Sequence, residues 1–133
     1  MFNKIFILVL FILAGNLAAQ SVDFVQPKDK ESVMTTFKVI FSLEGMEIRP
    51  EGDLTSGTGH HHLLINTDYI PEKITIPNDE NHIHFGKGQI ETEIHLKPGR
   101  YKLTLQFGDG LHRSYGKKMS KSINIVVIDA ILR

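Results

Sequence analysis

The sequence contains no cysteine, no tryptophan and, beyond its first nineteen residues, no apolar run approaching the length of a membrane span. Without cysteine no disulfide can staple the fold, no lipid can be attached at an N-terminal lipobox thiol, and a blue-copper centre, which needs a thiolate ligand, is excluded. Stability must therefore come from a hydrophobic core. Charge bias is missing too, with 15 Lys and Arg against 15 Asp and Glu. Nucleic acids and anionic membranes select clustered positive charge, so neither is expected as a partner. No glycine-rich phosphate loop ending in Lys-Ser/Thr, no nucleophile elbow and no metalloprotease helix motif is present. A hydrolytic set can be assembled on paper from histidine, glutamate, Ser56 and Asp109, but no motif unites it. A binding or accessory module is expected rather than an enzyme. The glycines Gly57, Gly59, Gly86, Gly88, Gly108 and Gly110 are adequately explained by turn geometry.

What is present begins with a three-part leader. A short basic start to Lys4, an apolar run from Ile5 to Leu13 and a small-residue end at Leu17-Ala18-Ala19 have the layout of a secretory signal peptide. The apolar run is shorter than the roughly 20 residues a bilayer requires. Cleavage is expected between Ala19 and Gln20, giving an exported, periplasmic or extracellular protein that is not a lipoprotein and does not contact the membrane once cleaved. Removing residues 1–19 from the 133 leaves 114, the size of one compact domain spanning 20–133. Only Lys4 is lost, so 14 basic residues face 15 acidic ones, a net charge of −1.

The domain reads as all-β, because apolar and polar residues alternate with period two and no window sustains a 3.6-residue period. Residues 36–43 are the clearest case, with Phe37, Val39, Phe41 and Leu43 on one face. Similar segments are 22–26, 60–66, 82–86, 89–96, 101–107 and 121–128. Seven short strands separated by turn signals predict an antiparallel β-sandwich of immunoglobulin-like architecture, without the tryptophan and cysteines of true immunoglobulin domains. Lys97-Pro98-Gly99-Arg100 suits a type II turn, and Gly86-Lys87-Gly88 is expected to close a tight hairpin between 82–86 and 89–96. The connections 44–59, 67–81 and 108–120 are long for so small a domain, and loops of more than about 12 residues are usually functional or mobile.

All seven histidines fall between His60 and His112, five of them in the strings GHHHLLIN and NHIHFGKGQ. Residues two apart on a strand point the same way, so His82 and His84 share one face while Ile83 and Phe85 take the core side. In the expected hairpin, Glu91, Glu93 and His95 would share the histidine face, opposite Ile90, Ile94 and Leu96. In the first string, Leu63 and Ile65 facing the core would turn His61 inward and leave His60 and His62 outward. If the two strands are neighbours, His60, His62, His82 and His84 converge on one patch. Imidazole with carboxylate suits a divalent copper, zinc or nickel ion. His61, Glu91, Glu93, His95 and His112 are further candidates for ligation or for orienting a ligand imidazole, and Met46 and Met119 at loop edges would add thioethers. Against this stands a structural or pH-responsive network, since cross-strand His–Glu pairs stabilise sheets by roughly 0.2–1 kcal/mol without metal. Recognition of another small ligand and an adhesive role for the sandwich itself are further alternatives. Met46 and Met119 taken singly read as packing residues.

The strings GTGHHHLLINTD, IPNDENHIHFGKGQIETEI and LKPGRYKLTLQFGDGLH resemble a family of exported bacterial proteins designated domain of unknown function 4399, from about Phe24 to Val127. The resemblance implies a small exported β domain and brings no activity with it. In that family a second histidine often follows the one matched by His112. This chain reads His112-Arg113-Ser114-Tyr115, so if that second histidine is a ligand in other members, Tyr115 or solvent would have to stand in here.

Overall fold

In a computed structural model, which describes residues 19–130, the chain forms two packed β-sheets and contains no α-helix among the described residues. The leader up to Ala18 lies outside the described residues. Strands β1 (Ser21–Gln26), β3 (Thr36–Glu44) and β7 (Glu91–His95) make an antiparallel three-stranded sheet in the order β1-β3-β7. The second sheet runs β2-β9-β8-β5-β4, from β2 (Ser32–Met34), β9 (Ser120–Ile128), β8 (Gly99–Gly108), β5 (Thr58–Ile65) and β4 (Glu47–Ile48). Strand β6 (His82–His84) also pairs with β5. Each of the seven expected segments contains a strand, and β2 and β4 are additional short strands that pair in parallel with β9 and β5.

The alternating side chains close the space between the sheets. Phe24, Phe37, Val39, Phe41 and Ile94 from the smaller sheet pack against Leu63, Ile65, Leu103, Leu105, Phe107, Ile123, Ile125 and Val127 from the larger one. Burying one such side chain contributes about 1.5–3 kcal/mol, and in a chain without disulfides this layer is the main source of stability.

The expected hairpin at Gly86-Lys87-Gly88 does not form. Residues 85–90 instead carry the chain from the larger sheet to the smaller, where β7 pairs with β3 in the register Ile40↔Glu91 and Lys38↔Glu93. Phe85 enters the core, and the carbonyl of Phe85 accepts from Gly88 N at 3.1 Å, so a turn exists but it joins different sheets. Ile90, expected on the core side, precedes the strand and is 52% exposed. Lys97–Arg100 likewise leads from β7 in one sheet to β8 in the other.

Strand β5 is buried along all eight residues, although it carries three histidines. The core covers one of its faces. The other is roofed by the segments 66–81 and 109–116, which are joined by Ile76 N donating to His112 O at 2.8 Å and Ser114 N to Ile74 O at 2.9 Å. Buried polar side chains hold that roof down. Gln106, opposite His62, accepts from Ile70 N and donates from Nε2 to Gly116 O at 3.1 Å. Thr104 donates to Thr67 O and Ser114 to Ile70 O.

Candidate metal centre

Four imidazoles meet under this roof. On β5, His61, Leu63 and Ile65 point into the core, so His60 and His62 stand on the opposite face. Strand β6 adds His84 directly opposite His62. His112 comes from the turn 109–113, where it adopts φ 60°, a left-handed conformation uncommon for a side-chain-bearing residue. That turn is fixed by the Asp109 carboxylate, whose Oδ1 accepts from Leu111 N and Arg113 N and whose Oδ2 accepts from Arg113 Nε, all at 2.8–2.9 Å. The ring centroids of His60, His62, His84 and His112 are 4.5 Å apart for the closest pair and 5.7 Å for the most distant. His60 Nε2 lies 3.2 Å from His112 Nδ1.

A carboxylate completes the group. Glu51 Oε2 is 3.3 Å from His84 Nε2 and 3.4 Å from His112 Nε2. Its backbone N donates to Gly86 O at 2.8 Å, and Gly52 N donates to Gly110 O at 2.9 Å, so the 49–53 loop is tied to both histidine-bearing elements. Two donor groups have ligand atoms within 4.8 Å of one another: His60, His62 and His112, and Glu51, His84 and His112. A cleft of about 380 Å³ bordered by Glu51, His62, Ile76, His84 and His112 gives access from solvent.

Two glycines make room for the rings. A Cβ on Gly86 would lie 2.4 Å from His84 Nε2, and one on Gly108 would lie 2.8 Å from Ile76 Cδ1 and 3.3 Å from His62 Nε2. Neither has the positive φ that turn chemistry would ask for, so the requirement is space. The turn explanation is corrected at these two positions.

Burial dominates the electrostatics. It pushes His60 down to about 4, helped by the neighbouring His112 and His84 and opposed by Glu51 and Asp109. His62 is pushed to about 2 by burial and by the surrounding imidazoles. His84 is lowered by burial and His112, against the pull of Glu51. The His60, His62 and His84 rings are therefore neutral at pH 7, the form that donates a lone pair. His60 Nδ1, both nitrogens of His62 and His84 Nε2 are buried without a hydrogen-bond partner, the Glu51 contact to His84 lacking hydrogen-bond geometry. Unpaired buried polar groups are costly and call for an explanation.

The remaining candidates lie elsewhere. His82 shares the face of His84 but sits opposite Leu64, and its Nδ1 is 2.7 Å from Asp79 Oδ1. It joins neither donor group, and His112 takes the place expected for it. His61 faces the core between Phe41 and Phe107, at 5.1 and 5.2 Å between centroids. Glu91, Glu93 and His95 are exposed on the three-stranded sheet because β7 pairs with β3, and His95 Nδ1 is 3.0 Å from Thr36 Oγ1. Met119 is fully buried and Met46 packs against the core, so both are packing residues. Tyr115 does not face the imidazoles: its hydroxyl donates to Thr58 O at 2.6 Å and its ring stacks on Phe107. Glu51 carries no sequence signal that separates it from the other acidic residues.

The profile of a family described as domain of unknown function (DUF4399) matches residues 39–128. The chain belongs to this family. The match spans β5, β6 and the 109–113 turn, so every residue of the imidazole–carboxylate group lies within the family's domain. Comparison with curated proteins finds no match. Among solved structures, the chain is similar to the endo-β-1,4-mannanase from Thermotoga petrophila, with 14% identity and a TM-score of 0.50 over 83% of this chain. The likeness covers 20% of the mannanase chain and is one of fold alone.

Proposed function

We propose that the protein is an exported binding module of immunoglobulin-like architecture that holds a divalent transition metal through His60, His62, His84 and His112, with Glu51 as a carboxylate donor. The observation that carries this reading is the convergence of four imidazoles, with both nitrogens of His62 and Nε2 of His84 buried and without a hydrogen-bond partner. Donors about 2.0–2.1 Å from zinc at tetrahedral angles lie about 3.3 Å from one another. The Glu51–His84 and Glu51–His112 separations of 3.3 and 3.4 Å match that spacing, as does the 3.2 Å from His60 Nε2 to the opposite ring nitrogen of His112. Histidine with carboxylate and no thiolate suits zinc, copper(II) or nickel. Export rests on the leader, and binding rather than catalysis rests on the lack of a nucleophile with its base and oxyanion donors.

The test is metal content after purification without an affinity tag or added metal, followed by thermal melts at pH 7.5 with zinc, copper(II) or nickel. A ligand that binds only the folded chain raises its stability by about 2.7 kcal/mol at a hundredfold excess over Kd. The shift should persist in His82→Ala, which lies off the cluster, and vanish in His62→Ala/His84→Ala. If no metal moves the parent's transition, or the double variant responds as the parent does, the metal reading fails. What would then stand is a pH-responsive imidazole network, favoured by the depressed proton affinities of His60 and His62.

A further inference from the structure

His112 is used twice. It belongs to both donor groups, and its two ring nitrogens face different ways: Nδ1 is 3.2 Å from His60 Nε2, and Nε2 is 3.4 Å from Glu51 Oε2. A single ion can take a lone pair from only one of those nitrogens. The surplus donors form a second group. On one side stand His60 and His62, both fully buried. On the other stand His84 and the half-exposed Glu51 side chain, at the mouth of the cleft.

We propose that the centre is dinuclear, with two divalent ions on opposite nitrogens of a bridging His112: an inner ion held with His60 and His62, and an outer ion held with His84 and Glu51. This rests on the metal reading above and specifies its stoichiometry and connectivity. Neutral imidazole offers one lone pair, so binding the second ion requires His112 to give up its ring N–H proton, which passes to solvent while both nitrogens donate. Metal ligation of this kind releases protons and strengthens as pH rises. The two halves differ in access. The inner set is roofed by the loops, whereas the outer one opens on the cleft, leaving room for water or a small anion beside the carboxylate. A bridge demands a rigid ring, and the 109–113 turn supplies one: the Asp109 carboxylate fixes its backbone, and Ile76 N is bonded to the His112 carbonyl.

The experiment uses tag-free chain in a His82→Ala/His95→Ala background, which removes the histidines outside the group other than the core-facing His61. Zinc is counted by native mass spectrometry, and copper(II) by titration with integrated electron paramagnetic resonance intensity. Two zinc ions per chain are expected. With two copper(II) ions the integrated spin should fall well below two per chain, because spins bridged by imidazolate couple antiferromagnetically. Adding Glu51→Gln/His84→Ala should leave one ion with a full single-copper signal, its fold being checked by metal-free melts. One ion at full intensity in the parent background overturns the dinuclear centre while leaving mononuclear binding intact. Two ions with two full, uncoupled spins overturn the bridge. Absence of any binding overturns both readings together.

Discussion

Acidification should weaken the metal-free protein severely, over a window set by the buried imidazoles. His60 and His61 are held down to about 4 and His62 to about 2, chiefly by burial, whereas an unfolded histidine titrates near 6.5. Above 6.5 both states are neutral at these positions and the histidines have no effect. As pH falls below 6.5 the unfolded chain takes up protons that the folded chain refuses, so stability declines until the folded values are reached. At pH 5 the difference is about 1.5 pH units per ring, or roughly 2 kcal/mol, and about 6 kcal/mol for the three together. Domains of this size are stable by only about 5–15 kcal/mol. The carboxylates held low by hydrogen bonds, Asp53 and Asp79, contribute above their ordinary value of 3.8 and lose that contribution only below it, outside the window. The assay is urea unfolding at pH 7.5, 6.5, 5.5 and 5.0 with a chelator present, so that loss of metal is not confused with protonation. An unfolding free energy constant to within about 1 kcal/mol across that range would refute the buried, neutral state of these rings.

The remaining predictions concern space, position and the odd histidine. Gly86→Ala places a methyl group against the His84 ring, so metal affinity should fall about 10–100-fold, with a stability cost of about 1–3 kcal/mol, read by isothermal titration and by urea unfolding. Asp109→Ala removes three hydrogen bonds from the turn that presents His112 and should weaken metal binding by a similar factor, while His82→Ala leaves it unchanged. His61→Leu removes a buried ring with two unpartnered nitrogens from between Phe41 and Phe107. It should stabilise the fold by about 1 kcal/mol at pH 7.5 and more at pH 5, without loss of metal; a destabilised variant would show that His61 has a partner in the folded protein.

Side-chain parity was legible in the sequence because it is a local property. Leu63 and Ile65 orient β5, and Ile83 and Phe85 orient β6, so the outward pairs His60/His62 and the shared face of His82 and His84 follow from two-residue periodicity. Partner choice was not legible. The alternation of Glu91, Glu93 and His95 with Ile94 is satisfied equally by a neighbour in either sheet, and the Gly86-Lys87-Gly88 turn chemistry serves a crossover as well as a hairpin. The ladder with β3 decides the matter through contacts some fifty residues away in sequence. Position along a strand was equally hidden. His82 and His84 share a face, yet only His84 lies level with His62, since His82 falls opposite Leu64. His112 and Glu51 reach the site on irregular loops, where neither period nor propensity assigns a direction to a side chain.

Hydrogen-bond accounting favours the proposed metal centre over a purely structural network. Each neutral imidazole carries one N–H donor and one lone pair, and a structural network would pair them with buried carbonyls or hydroxyls. Here His60–His112 is the imidazole–imidazole hydrogen bond of the group among the described residues, and four nitrogens of His60, His62 and His84 are left unpaired. Each such group costs about 1–3 kcal/mol when buried. The roof built by Gln106, Thr104 and Ser114 adds to this by keeping His60 and His62 from water, although their neighbours on the same face satisfy their own polar atoms. A bound divalent ion reverses the balance. It uses one lone pair per ring directly, and structural zinc sites supply apparent free energies of about 10–16 kcal/mol near pH 7, against about 4–12 kcal/mol for burying four unpaired nitrogens. A cluster that destabilises the empty fold and stabilises the loaded one is what a metal-binding strand pair requires; a scaffold alone would gain more from leucine at these positions.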